Sequence, residues 1–179
     1  RVQCSLDDEF MLVSVPDDRE TFRINGDRMT PGISVSNSEV GLAALSISTF
    51  TLRLVCTNGM ISKTEVSASY RHVSSKLLSN LPGVLNELEA GFGQQREQFQ
   101  ISLESKVENP EATIESFNRQ FELRKEEKEA VEWALAQEYG FTMFSVVNTY
   151  TKAAQFELLS AESRFRLQKV GGMVLGMVK

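Results

Sequence analysis

"LSISTFTLRLVCTNGM", residues 45–60, is the stretch on which the fold turns. Leu45 and Ile47 share one parity; Phe50, Leu52, Leu54 and Cys56 share the other. Alternation with a period of two marks a half-buried strand. The apolar parity changes near Ser48-Thr49, which predicts a bulge or bend there. Asn58-Gly59 reads as the turn that ends the strand, because both residues tolerate positive φ. Cys56 then reads as the last buried residue of that strand. A nucleophilic thiol needs a base or a positive field. The sole histidine, His72, is near enough in sequence to pair with Cys56, yet the apolar parity favours the structural reading.

Working upstream, other strand-like runs alternate with turn chemistry. "EFMLVSV" (9–15) stops at Pro16-Asp17-Asp18, and "ETFRI" (20–24) stops at Asn25-Gly26-Asp27, a strong hairpin signal. "GISVSNSEVG" (32–41) alternates Ile33 and Val35 with serines, giving one buried and one wet face. Short strands with such separators predict an antiparallel sheet over residues 1–70.

Downstream, the period becomes helical. Leu78, Leu85, Phe92 and Phe99 fall at heptad spacing, with Leu81, Leu88, Leu103 and Val107 on the same stripe. Pro82-Gly83 predicts a helix start or kink. Asn109-Pro110-Glu111 reads as a cap, a first-turn proline and an acid at the positive helix end. Another amphipathic helix is predicted over 124–140, and Thr142 and Ser160 read as caps of the two last ones. The expected fold class is therefore α+β. An N-terminal antiparallel sheet (1–70) is followed by an all-helical half (71–179) packed on it, the two forming one continuous domain whose regions are set by the change of period.

The composition narrows the function. The 179 residues are 41% hydrophobic and 24% charged, as in a globular protein. No apolar run approaches the roughly 20 residues of a membrane helix, so no membrane partner is expected. Two cysteines, Cys4 and Cys56, make no disulfide framework, which suits a reducing, cytoplasmic setting. The chain begins at Arg1 without a start methionine, and an upstream part of a longer protein is expected. The net charge of −5 weakens a nucleic-acid reading without removing it, because local patches matter more than totals.

Motifs for catalysis are sparse. One histidine and two distant cysteines give no zinc pattern, so no metal ligands and no cofactor are assigned. The acids of "LDDE" (6–9) and "PDD" (16–18) flank turns and offer at most a weak Mg²⁺ site. No Walker-type loop, dinucleotide fingerprint or nucleophile elbow is present, and no catalytic residue is assigned. What remains is a basic set with an aromatic in it: Arg53, Lys63, Tyr70, Arg71, His72 and Lys76. Such a set can hold phosphates and stack a base, or simply solvate a surface. Asn37, Ser38 and Asn58 form a polar group that either serves turns and caps or converges with Arg53 as a binding site at one end of the sheet. Arg53 itself interrupts an apolar strand, where an internal carboxylate such as Glu39 would pair it.

The segment "PGISVSNSEVGLAALSISTFTLRLVCTNGM" (31–60) resembles the phage/plasmid-like proteins of unknown function that include the UPF-type proteins of enterobacterial prophages. The likeness rests on Ser36-Asn37-Ser38-Glu39 and on Arg53 to Met60. A second likeness lies in "NTYTKAAQ" (148–155) and in the final Leu167-Gln168-x-x-Gly171-Gly172. Together the two cover roughly a third of the chain. The resemblance implies a mobile-element origin and a cytoplasmic setting, and no activity. The order of sheet and long helix also resembles single-strand annealing recombinases in outline, an analogy of fold. The leading expectation is a non-enzymatic, nucleic-acid-associated protein that binds or anneals single-stranded DNA, as a homo-oligomer. The alternatives are an interaction factor acting on a host defence or replication protein, and a Mg²⁺-dependent nuclease or hydrolase.

Overall fold

The computed structural model describes residues 2–38, 45–53, 58–61 and 75–178; the side chains of 58–61, 75–81, 84, 85 and 87–89 lie outside that description. Among the described residues six strands form one antiparallel sheet: β1 (Gln3–Leu6), β2 (Met11–Pro16), β3 (Phe22–Ile24), β4 (Asp27–Asn37), β5 (Ser46–Arg53) and β6 (Asn58–Ile61). Their order is β1-β2-β4-β5-β6, with β3 paired to the first residues of β4. Five helices follow: α1 (Ser75–Glu104), α2 (Pro110–Gln120), α3 (Lys125–Glu138), α4 (Met143–Ala153) and α5 (Ala161–Met177). The chain is thus α+β, sheet first and helices after.

Local chemistry explains the turns. The β1–β2 reversal is held by Asp7, whose Oδ1 accepts the N–H groups of Glu9 (3.0 Å) and Phe10 (2.8 Å). Asn25 and Gly26 reverse β3 into β4 with φ of 51° and 84°, the positive values that a type I′ hairpin requires at both central positions. β4 begins earlier than the serine alternation alone indicates, at Asp27, and runs through Pro31 and Gly32. Pro31 is tolerated because of where it faces. Its carbonyl accepts Asp17 N–H (2.7 Å) on the side where β4 changes partner from β3 to β2, so no bond of the β4–β5 ladder is lost. At Gly32 a Cβ would meet the Val15 carbonyl, the Phe50 ring (2.6 Å) and the Pro16 Cα (2.7 Å), so close approach demands glycine.

The expected bulge near Ser48-Thr49 is absent. β5 pairs with β4 in unbroken register from Met29↔Arg53 to Ser36↔Ser46. The apolar parity shifts for another reason: Ile47 through Leu52 are all buried, because helices cover β5 on both faces. Thr51 donates to Gln95 Oε1 of α1 at 2.6 Å, while Phe50 and Leu52 pack in a cluster with Phe10, Leu12, Ala161 and Phe165 under α5. Asn58 and Gly59 are strand residues of β6, opposite Arg53 and Leu52, so the chain reversal does not fall on this pair. Cys56 lies outside the described residues.

α1 carries Pro82 in its interior and extends upstream of it to Ser75, rather than starting there. Phe92, Gln95, Phe99 and Ser102 are buried at helical spacing. The other stripe residues Leu78, Leu81, Leu85 and Leu88 have side chains outside the description. Asn109 caps α2 through Ala112 N–H (2.9 Å), Thr142 caps α4 through Ser145 N–H (3.3 Å), and Ser160 caps α5 through Ser163 N–H (3.1 Å). The main core joins both halves: Phe22 and Met29 of the sheet pack with Phe99, Phe144, Val147, Leu167 and Val174 of the helices.

Candidate binding cleft and the placement of the polar residues

Arg53 ends β5 with a guanidinium that is only 13% exposed. Its Nε donates to Asp27 Oδ2 (2.6 Å) and its Nη1 to Glu138 Oε2 (2.8 Å), with the Phe144 ring 5.9 Å away. Burial alone would lower its pKa; the hydrogen bonds and charges of Glu138 and Asp27 outweigh this and raise it. The internal carboxylates are therefore Asp27 and Glu138, and the expected candidate, Glu39, lies outside the described residues. The arrangement is a clamp that ties β4, β5 and the end of α3 together. Its charge is neutralised within the fold.

The rest of the basic set is not brought into view beside it. Lys63, Tyr70, Arg71 and His72 lie outside the described residues. Lys76 sits in the first turns of α1, with its side chain outside the description. The polar group divides. Asn58 pairs with Arg53 across β5–β6, whereas Asn37 lies eight residues along β4 from Met29, the partner of Arg53. That is about 27 Å of strand. Asn37 and Arg53 do not converge at one end of the sheet. Ser38 instead donates its hydroxyl to Glu9 O (2.8 Å) and holds the β1–β2 turn.

Two of the turn acids, Asp7 and Asp17, are engaged within the fold. Asp7 Oδ2 accepts Ala161 N–H (2.8 Å), which docks the β1–β2 turn on the first residue of α5. This bond leads the causes that lower the Asp7 pKa. The Arg19 side chain and backbone, in that order, bring Asp17 down to about 2. Among the described residues no group of three or more His, Cys, Asp or Glu side chains is placed to hold a metal ion.

A different site appears where β1 and β2 face the end of α4 and the outer face of α5. A cleft of about 400 Å³ is lined there by Gln3, Ser5, Ser14, Gln155, Arg164 and Gln168. Arg164 is oriented by two backbone carbonyls: Nε donates to Leu159 O and Nη2 to Glu157 O, both at 3.1 Å. It makes no ion pair among the described residues. Sequence spacing could not reveal this group, since its members come from chain positions about 150 residues apart.

No described helix is long and apolar enough to cross a membrane. No protein-family model, curated protein or solved structure matches the chain.

Proposed function

We propose that this is a non-enzymatic binding protein of the phage and plasmid type that associates with single-stranded nucleic acid. The distribution of charge supports the reading. Residues 92–140 hold 11 acidic and six basic side chains, a net of −5 that equals the charge of the whole chain. The sheet, the start of α1 and α5 are therefore balanced in charge as a group, and the acidity that would repel phosphate belongs to α2, α3 and the segments beside them. Arg71 and Lys76 are the basic residues on which this proposal places phosphate contacts; Arg53 is excluded, because its charge is already paired. The test is titration with a short oligo(dT) at several salt concentrations, for wild type and for an Arg71→Ala/Lys76→Ala variant. Each lost phosphate contact should reduce the salt slope by about 0.7. No binding by wild type at low salt would remove the proposal.

A second reading rests on the acidic half. Tyr139 and Phe141 are 50% and 58% exposed, stacked edge to face with centroids 5.5 Å apart, beside the acidic α2 and α3. Exposed aromatics mark many protein interfaces. This pair favours a basic protein partner. Recovery of one such protein by pull-down, lost with Phe141→Ser and with no retention of DNA, would replace the first reading with this one.

A further inference from the structure

We propose that the cleft between β1–β2 and α5 is a nucleotide site in which Arg164 receives the phosphate. The inference rests on the nucleic-acid reading above and names the pocket for one unit of the strand. A cleft of about 400 Å³ lies in the size range of small-molecule sites. Its lining mixes apolar Leu12 and Ala154 with polar side chains. Gln3, Ser5, Ser14 and Gln168 line it, and their side chains make no hydrogen bond within the protein among the described residues. Ser14 is the informative member. It is 6% exposed, yet its hydroxyl has no partner among the described residues, and it lies on the cleft wall. The hydroxyl is not sealed in the fold: it opens on the cleft, where a ligand donor or acceptor can bond to it.

Arg164 supplies the charge. The carbonyls of Leu159 and Glu157 hold Nε and Nη2, which fixes the plane of the guanidinium before any ligand arrives. No carboxylate neutralises it among the described residues. Glu162, two residues away, is engaged by Arg124 at 2.9 Å and 3.0 Å, and Glu127 by Arg166 at 3.0 Å. Arg124 and Arg166 are thus paired with carboxylates, while Arg164 has no carboxylate partner among the described residues, which suits an anionic ligand group. The amides of Gln3 and Gln168 both donate and accept, as the edges of a nucleobase or sugar hydroxyls require.

The experiment is calorimetric titration of the whole chain with thymidine 5′-monophosphate, thymidine, inorganic phosphate and a short oligo(dT). Gln168→Glu is the main variant, because Gln168 makes no side-chain hydrogen bond among the described residues and a carboxylate there would repel phosphate. Arg164→Lys is the second. Binding of the monophosphate, weaker binding of thymidine, and a loss of about tenfold or more in Gln168→Glu at unchanged melting temperature is the expected result. Inorganic phosphate alone matching the monophosphate would overturn the nucleotide assignment. Absence of monophosphate binding, or equal binding by wild type and both variants, would overturn the site. If oligo(dT) binding then persists, only the cleft is wrong. If the cleft binds the monophosphate and oligo(dT) does not bind at all, the single-strand reading fails and the site stands.

Discussion

The sheet and the helical half bury very different chemistry. The helical core sets amides and a carboxylate among aliphatic side chains: Gln95, Asn118, Glu127 and Asn148 are enclosed beside Ala130, Val131, Val146, Val147, Leu167 and Val174. The sheet buries hydroxyls. Thr30, Ser34, Ser36, Ser48, Thr49 and Thr51 are at most 2% exposed, and the Ser34 and Ser48 hydroxyls meet across β4–β5 at 2.9 Å. Hydroxyls in a strand contribute little hydrophobic stabilisation, about 1 kcal/mol net where a good hydrogen bond forms. The sheet therefore depends on its backbone ladder and on the helices that cover β5 from both sides. The candidate cleft lies where the two regions meet, between β1–β2 and α5.

The largest effect should come from the residue that joins the two regions. Phe99 is 1% exposed and lies between Phe22 of the sheet and Phe144 of α4, with centroids at 6.4 and 6.3 Å. Phe99→Ala should cost about 3–5 kcal/mol. Denaturant unfolding followed by two probes, one in each half, should show both losing stability together. Loss confined to one half would break the comparison by showing that the sheet stands alone.

Arg53→Ala comes next. It strands Asp27 and Glu138 in a site where both are largely buried, at 15% and 12% exposure. Breaking such a pair costs about 3 kcal/mol or more. Arg53→Lys should recover part of this, since a lysine can meet one carboxylate but not the fork. An unchanged melting curve for Arg53→Ala would show that the clamp contributes nothing to the docking of the halves.

Gly32→Ala tests the sheet by itself. The new methyl would press on Phe50 and on the β2 backbone, so a loss of about 1–3 kcal/mol is expected. If chemical denaturation instead finds the variant as stable as wild type, β2 and β4 are less closely packed than the helical core, and the asymmetry is sharper than described.

The smallest effect concerns Asp7, which ties the β1–β2 turn to α5. Its pKa is lowered from the usual carboxyl value near 3.8, first by the bond from Ala161. Its contribution is therefore present above about pH 4 and lost as pH falls through the lower folded value. Asp7 is exposed, and water screens it, so the gain is below about 1 kcal/mol. Asp7→Asn should lower stability slightly at pH 6 and leave stability near pH 2 unchanged. An equal loss at both values would show that packing of the turn matters rather than charge.

What the sequence determined by itself is whatever depends on near neighbours. Asn25-Gly26 specifies its hairpin because two positive φ angles are needed side by side. Asn109, Thr142 and Ser160 specify helix starts because a cap reaches an N–H three residues on. Change of hydrophobic period separates sheet from helices for the same reason. What only the tertiary structure decided involves groups far apart in the chain. The parity shift in β5 reads as a bulge until helices are seen on both faces. The partners of Arg53 are 26 and 85 residues away. The Asp7–Ala161 bond spans 154 residues, and the cleft above it joins β1 to α5. Local spacing constrains backbone angles and the face a side chain takes. Which distant face meets it is set by the packing of the whole, and the candidate site is made of such meetings.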